Sequence, residues 1–177
     1  MTNRIKTVQY PKLILVMCRN SEKIANLISD ILNFCSYNTC IEDFSENTDY
    51  IIALSLTSCK CNGGYIADAA LIDDTCENAS ELSDFRKIAL PYEIAEDEFE
   101  EDSKLITYSA DNYSADVACR SISLQGDSTV FDVVSGGVLS RARISSGEYS
   151  VDDVLSCSTV LIAAGVPLAS VLGFFNK

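Results

Sequence analysis

The segment Cys18-Arg19-Asn20-Ser21-Glu22-Lys23 stands between a continuous apolar run and the first residues of a helix-period pattern. A strand that turns straight into a helix is where phosphate-binding loops sit, because the unpaired amides of the first helical turn face outward toward an anion. These six residues are therefore the candidate ligand-contacting positions. Two other groupings invite chemistry. Cys59-Lys60-Cys61 is the only close cysteine pair, but it lacks both the C-x-x-C spacing and a second pair, so thiols without a metal are expected there. Glu96 to Asp102 carries six carboxylates in seven positions, a density expected of a solvated loop more than of a cation site. Histidine is absent, which excludes imidazole acid–base catalysis, Ser-His and Cys-His nucleophile pairs, and zinc sites that need imidazole. No catalytic residue and no metal ligand is assigned.

Charge narrows the partners. Thirteen Lys and Arg against 26 Asp and Glu leave a formal charge of −13, which repels a phosphate backbone, so no nucleic acid is expected. Met1 to Lys6 is polar and lacks the apolar core of a signal peptide, so the eight cysteines are read as cytoplasmic thiols, not a disulfide framework. Thr159 to Phe175 is almost uncharged, yet Gly165-Val166-Pro167 interrupts it with a helix stop followed by a helix start. Two packed helices are expected there, with no membrane span.

The elements that must position the loop follow from periodicity. Lys12 to Cys18 is a short apolar run, the pattern of a strand buried on both faces. Ile24, Leu27, Ile28, Ile31, Leu32 and Cys35 then recur at three- and four-residue spacing and predict a helix from Ser21 to Cys35. Further strands are predicted at 37–41, 50–56, 67–72 and 87–90, giving a mainly parallel α/β sheet with flanking helices over residues 11–100. From 104 to 145 the texture becomes alternating. Strands at 105–108, 115–123, 129–134 and 138–144, punctuated by Gly126-Asp127 and Gly136-Gly137, predict a small antiparallel β part. Residues 150–175 close the chain as a helical pair. Length and composition, 177 residues with 47% hydrophobic, suit one domain over 1–177.

This order of elements resembles the central, ATP-binding domain of the Mur ligases and folylpolyglutamate synthetases. That family reads V-T-G-T-N-G-K-T where this chain has Val16-Met17-Cys18-Arg19-Asn20-Ser21-Glu22-Lys23; only the Val and the Asn match. The two glycines are Cys18 and Ser21, the lysine is Glu22, and the magnesium-binding hydroxyl is Lys23. Sliding by one places Lys23 on the lysine but Ile24 on the hydroxyl. Asp49 to Ser55 is similar to the strand that ends in a magnesium-binding Glu, without the Glu, and Ala70-Leu71-Ile72-Asp73-Asp74 looks like L-T-N-I without the following D-H-L. Leu105-Ile106-Thr107-Tyr108-Ser109, Ala115-Asp116-Val117 and Phe131-Asp132-Val133 are similar to I-T-Y-G, A-D-V and F-D-hydrophobic. Gly147 to Val154 stands in the place of G-x-H-N-x-x-N-A, with Tyr149 for His and Ser150 and Asp153 for the two Asn. The resemblance covers Pro11 to Phe175 and implies a chain without the family's amino- and carboxy-terminal domains.

The resemblance implies a domain that has lost catalysis and serves as a binding or regulatory module near peptidoglycan precursor synthesis, with a protein partner or a second copy of itself and no cofactor. The alternative is an ATP-dependent amide ligase component completed by partner domains, which would need ATP and magnesium. A third reading is a structural subunit dimerising through its apolar C-terminal helices.

Overall fold

The structure is a computed structural model and describes residues 10–43, 48–54, 66–74, 85–98 and 104–176. Among the described residues nine strands form a single sheet in the order β2-β3-β1-β4-β5-β6-β7-β8-β9. The parallel part comprises β1 (Lys12–Met17), β2 (Thr39–Ile41), β3 (Tyr50–Ala53), β4 (Ala69–Ile72), β5 (Ile88–Pro91) and β6 (Leu105–Ser109). β1 is central, with β3 on one side and β4 on the other, both parallel to it. Burial on both faces explains why its sequence is a continuous apolar run, and the four residues Leu13 to Val16 are all buried.

Each face of the sheet has its own core. Ile14 and Val16 join Ile24, Leu27, Ile28 and Ile31 of α1 (Ser21–Phe34) on one face. The same core takes in Val154, Leu155, Val160 and Leu161 of α3 (Val151–Ala163) and Val171 and Leu172 of α4 (Leu168–Gly173). Leu13 and Leu15 face the other way, with Ile51, Ile72, Ile88 and Leu90, against which Ile94 and Ala95 of α2 (Tyr92–Glu98) pack. Helices therefore flank a mainly parallel sheet, as the periodicity predicts.

The C-terminal apolar stretch is two helices. Gly165 lies at φ +90 between them, where an L side chain is strained, and Val166 N donates to Leu161 O at 2.9 Å, closing α3 in a left-handed cap. A Cβ at Gly165 would also come within 3.0 Å of Lys12 Nζ, which donates to Ala164 O at 2.6 Å. Among the described residues no helix is long and apolar enough to cross a membrane.

Two expectations are corrected. The strand at 105–109 belongs to the parallel part: Leu105 to Tyr108 pair parallel with Ile88 to Pro91. Among the described residues antiparallel pairing is confined to β7 (Val117–Gln125), β8 (Ser128–Ser135) and β9 (Val138–Ser145), which continue the same sheet. The physical reason is α2. A parallel pair needs a crossover, and the start of the acidic run, read as a loop, supplies it: Glu96, Asp97 and Glu98 form the end of that helix. Glu93 in its first turn complements the helix dipole. Cys59-Lys60-Cys61, and the acidic run beyond Glu98, lie outside the described residues.

Candidate functional site

In an open α/β sheet the ligand crevice lies at the carboxyl ends of the strands, where the strand order reverses. Here the chain leaves β1 for β2 and β3 on one side and returns to β4 on the other, so the reversal falls between β1 and β4. The turn Cys18 to Asn20 follows β1, and Asp73 and Asp74 follow β4. The structure thus places all six sequence-predicted positions, Cys18, Arg19, Asn20, Ser21, Glu22 and Lys23, at the switch point: three in the turn and three in the first turn of α1.

What occupies the mouth of this crevice is the protein itself. Arg19 N donates to Asp73 Oδ2 at 2.8 Å, so a carboxylate from the neighbouring strand end takes an amide of the turn. The Arg19 guanidinium reaches Asp74 at 3.4 Å, an exposed pair. Ser21 N donates back to Cys18 O at 3.1 Å. Asn20 is the N-cap residue but its side chain makes no capping bond.

Lys23 is taken up by a second carboxylate. Its Nζ lies 2.6 Å from Asp153 Oδ2 and 5.6 Å from the centre of the Tyr149 ring. Asp153 is the third residue of α3 in a capping box: Asp153 N donates to Ser150 Oγ at 3.0 Å, and Ser150 N donates to Asp153 Oδ2 at 2.8 Å. The box explains why Ser150-Val151-Asp152-Asp153 starts a helix here. One carboxylate oxygen thereby accepts both the cap amide and the ammonium of α1.

Negative charge and burial shape the rest of the crevice. Burial pushes the Cys18 thiol up to about 11; the Asp73 and Asp153 carboxylates add to this, and a hydrogen bond from the Asn20 amide opposes it. Tyr108, at the end of β6, is also pushed far up, first by burial and then by Cys18, Asp73 and Asp152. Asp152 is raised by burial and by Asp111, Asp153 and Glu93. Ser109 Oγ donates to Glu93 at 2.8 Å and accepts from the amides of Asp111 and Asn112, fixing the turn after β6. Among the described residues, no group of three or more Cys, Asp or Glu side chains is placed to hold a metal ion. Sequence reasoning missed Asp73 and Asp153 as partners of the loop, because the contacts join residues 54 and 130 positions apart.

No protein-family model matches the chain, and no curated protein matches its sequence. Solved structures match its fold. MurF from Acinetobacter baumannii superposes with a TM-score of 0.69 at 15% identity, over 95% of this chain and 46% of that one. A MurF ligase from Thermotoga maritima in complex with ADP gives 0.62 at 10% identity, over 92% and 48%. Folylpolyglutamate synthetase from Lactobacillus casei gives 0.60 at 8%, over 94% and 62%. The fold is that of a Mur ligase-like central domain, and the chain spans about half the length of the MurF structures it matches.

Proposed function

We propose that this chain is a non-catalytic binding or regulatory module built on a peptidoglycan-ligase fold. In this reading residues 1–177 act as one unit in the cytoplasm, beside peptidoglycan precursor synthesis. The observation that carries the reading is the 2.8 Å hydrogen bond from Arg19 N to Asp73 Oδ2, which puts a fixed negative charge in the anion position of the switch-point turn.

The residues present do not fit a nucleotide phosphate with magnesium. Phosphoryl transfer rests on positioning and charge neutralisation, which need backbone amides and a cation aimed at the phosphates. Here side chains stand at Cys18 and Ser21 where close backbone approach needs glycine, Glu22 adds a further carboxylate to the first helical turn, and Lys23 is held by Asp153. A phosphate oxygen near Glu22 or Asp73 adds repulsion of about 1 kcal/mol per charge pair even in bulk water.

The test is a pair of proteins. The unmodified chain is expected to show no thermal shift with 1 mM MgATP, whereas a micromolar ligand would raise stability by about 2.7 kcal/mol at a hundredfold excess over Kd. A variant carrying Cys18→Gly, Ser21→Gly, Glu22→Lys and Lys23→Thr together with Asp73→Ala is expected to gain nucleotide binding while hydrolysis stays at background, because no magnesium-binding Glu follows β3. ATP hydrolysis by the unmodified chain above buffer background would overturn the proposal.

A further inference from the structure

We infer that the solvent face of the β7-β8-β9 ribbon is a docking surface for an acidic peptide segment of a protein partner. This names a partner class for the binding-module reading and rests on it. Nucleotide titration tests that reading separately, so the two can fail independently.

The register builds the surface. Arg120 pairs with Asp132, and Asp132 with Arg141, so the three lie in one cross-strand row; Arg143 is two residues further along β9 on the same face, opposite Val130. Along β9 the buried Ala142 and Ile144 alternate with the exposed Arg141 and Arg143, which puts these arginines on the solvent side, over the buried Val130 and Asp132 of β8. Strand spacing separates Arg120 from Arg141 by roughly 10 Å, and Arg143 lies roughly 7 Å from Arg141. Among the described residues, only Arg141 of the three has a carboxylate partner. Arg141 Nε donates to Asp132 Oδ1 at 2.8 Å, whereas Arg143 donates to the neutral Gln125 Oε1 at 3.0 Å and Arg120 lies 5.1 Å from the Tyr113 ring. Tyr113, beside Arg120, and Leu139, two residues from Arg141 along β9 on the same face, are 64% and 60% exposed.

In a protein of charge −13 this face is of opposite sign to the whole. Planar guanidiniums in a fixed row match carboxylates spaced along a peptide, and the exposed Tyr113 and Leu139 match apolar residues between them. A long polyanion would extend over the acidic remainder of the surface and be repelled. A short segment engages the row alone, since remote charges are screened beyond about 8 Å at physiological salt. The partner meets the face and does not extend the sheet, because Asn176 Nδ2 already donates to Arg141 O at 2.6 Å on edge strand β9.

The experiment is fluorescence anisotropy with a labelled peptide of a single Glu-Leu-Asp-Glu repeat, short enough to engage the row alone, titrated with the full chain at low and physiological salt. Binding is expected to weaken with salt and to fall about tenfold or more when Arg120→Glu and Arg143→Glu are combined, a pair that leaves Arg141 with Asp132 intact. A charge-matched control, Arg86→Glu with Lys104→Glu, reverses two cations that lie outside both the ribbon and the turn after β1, Arg86 being 69% exposed. It is expected to bind within about twofold of the unmodified chain. Circular dichroism confirms that both variants are folded. The inference is overturned by equal loss in both variants, by equal binding of an uncharged Gln-Leu-Asn-Gln repeat, by tighter binding of heparin than of the peptide, by no binding at low salt, or by a dimer in sedimentation that the ribbon variant dissociates.

Discussion

Lys23 of α1 and Asp153 of α3 form a 2.6 Å ion pair on the same carboxylate oxygen that accepts the Ser150 cap amide. The helix that starts at the switch-point turn is thereby tied to the helix that closes the chain. The carboxylate is nearly buried and the ammonium is about half exposed, so the two partners do not contribute equally.

Removing Lys23 leaves Asp153 its cap bonds. Lys23→Met is expected to cost about 1 kcal/mol. Asp153→Ala loses the ion pair and the capping box together and is expected to cost about 2–3 kcal/mol. Urea unfolding checks this through the midpoint at constant m. Equal losses for the two variants would show that the oxygen is not shared.

The raised carboxyl of Asp152 gives a pH dependence. A group whose folded pKa lies above its unfolded value contributes stability below the unfolded pKa and loses it as pH rises through the folded pKa. At pH 7 the ionised Asp152 therefore costs stability, through burial and through Asp111, Asp153 and Glu93. Asp152→Asn is expected to raise the Tm at about pH 7 and to leave it unchanged near pH 3, where the native side chain is already neutral. Because Asp152 keeps much of its surface open to solvent, screening holds the gain below about 1 kcal/mol. Melting curves at both pH values, at low salt, decide it.

Three of the described thiols, Cys18, Cys119 and Cys157, are expected to be poor nucleophiles. Burial pushes Cys18 and Cys119 up to about 11, and Cys157 well above the ordinary thiol value. Thiolate is the reactive form, so iodoacetamide at about pH 8 should leave these three unmodified in the native protein and label them on unfolding. Mass spectrometry of the digested protein reads the outcome; rapid native labelling of Cys157 would contradict the packing of α3.

How legible these features were depends on the range of the interactions. The run from Leu13 to Val16 and the stripe from Ile24 to Leu32 are read directly, because burial on two faces and on one face leaves different periods in the sequence. The Gly165 stop is equally local. By contrast, the parallel pairing of Leu105–Ser109 depends on a crossover through α2, whose Glu-rich end reads as solvated loop. The position of the loop was legible, since a strand, a turn and a helix are contiguous. Its occupation by Asp73 was not, because a carboxylate at the end of β4 meets Arg19 only after β4 takes its place beside β1.

The central claim is that the protein's own carboxylates fill the anion position at the turn after β1. Calorimetric titration of the unmodified full chain with MgATP tests it most directly. The expected result is no saturable heat up to about 1 mM, corresponding to a binding free energy weaker than about −4 kcal/mol. Saturable one-to-one binding in the micromolar range, abolished by crowding the turn with Ser21→Tyr, would contradict it.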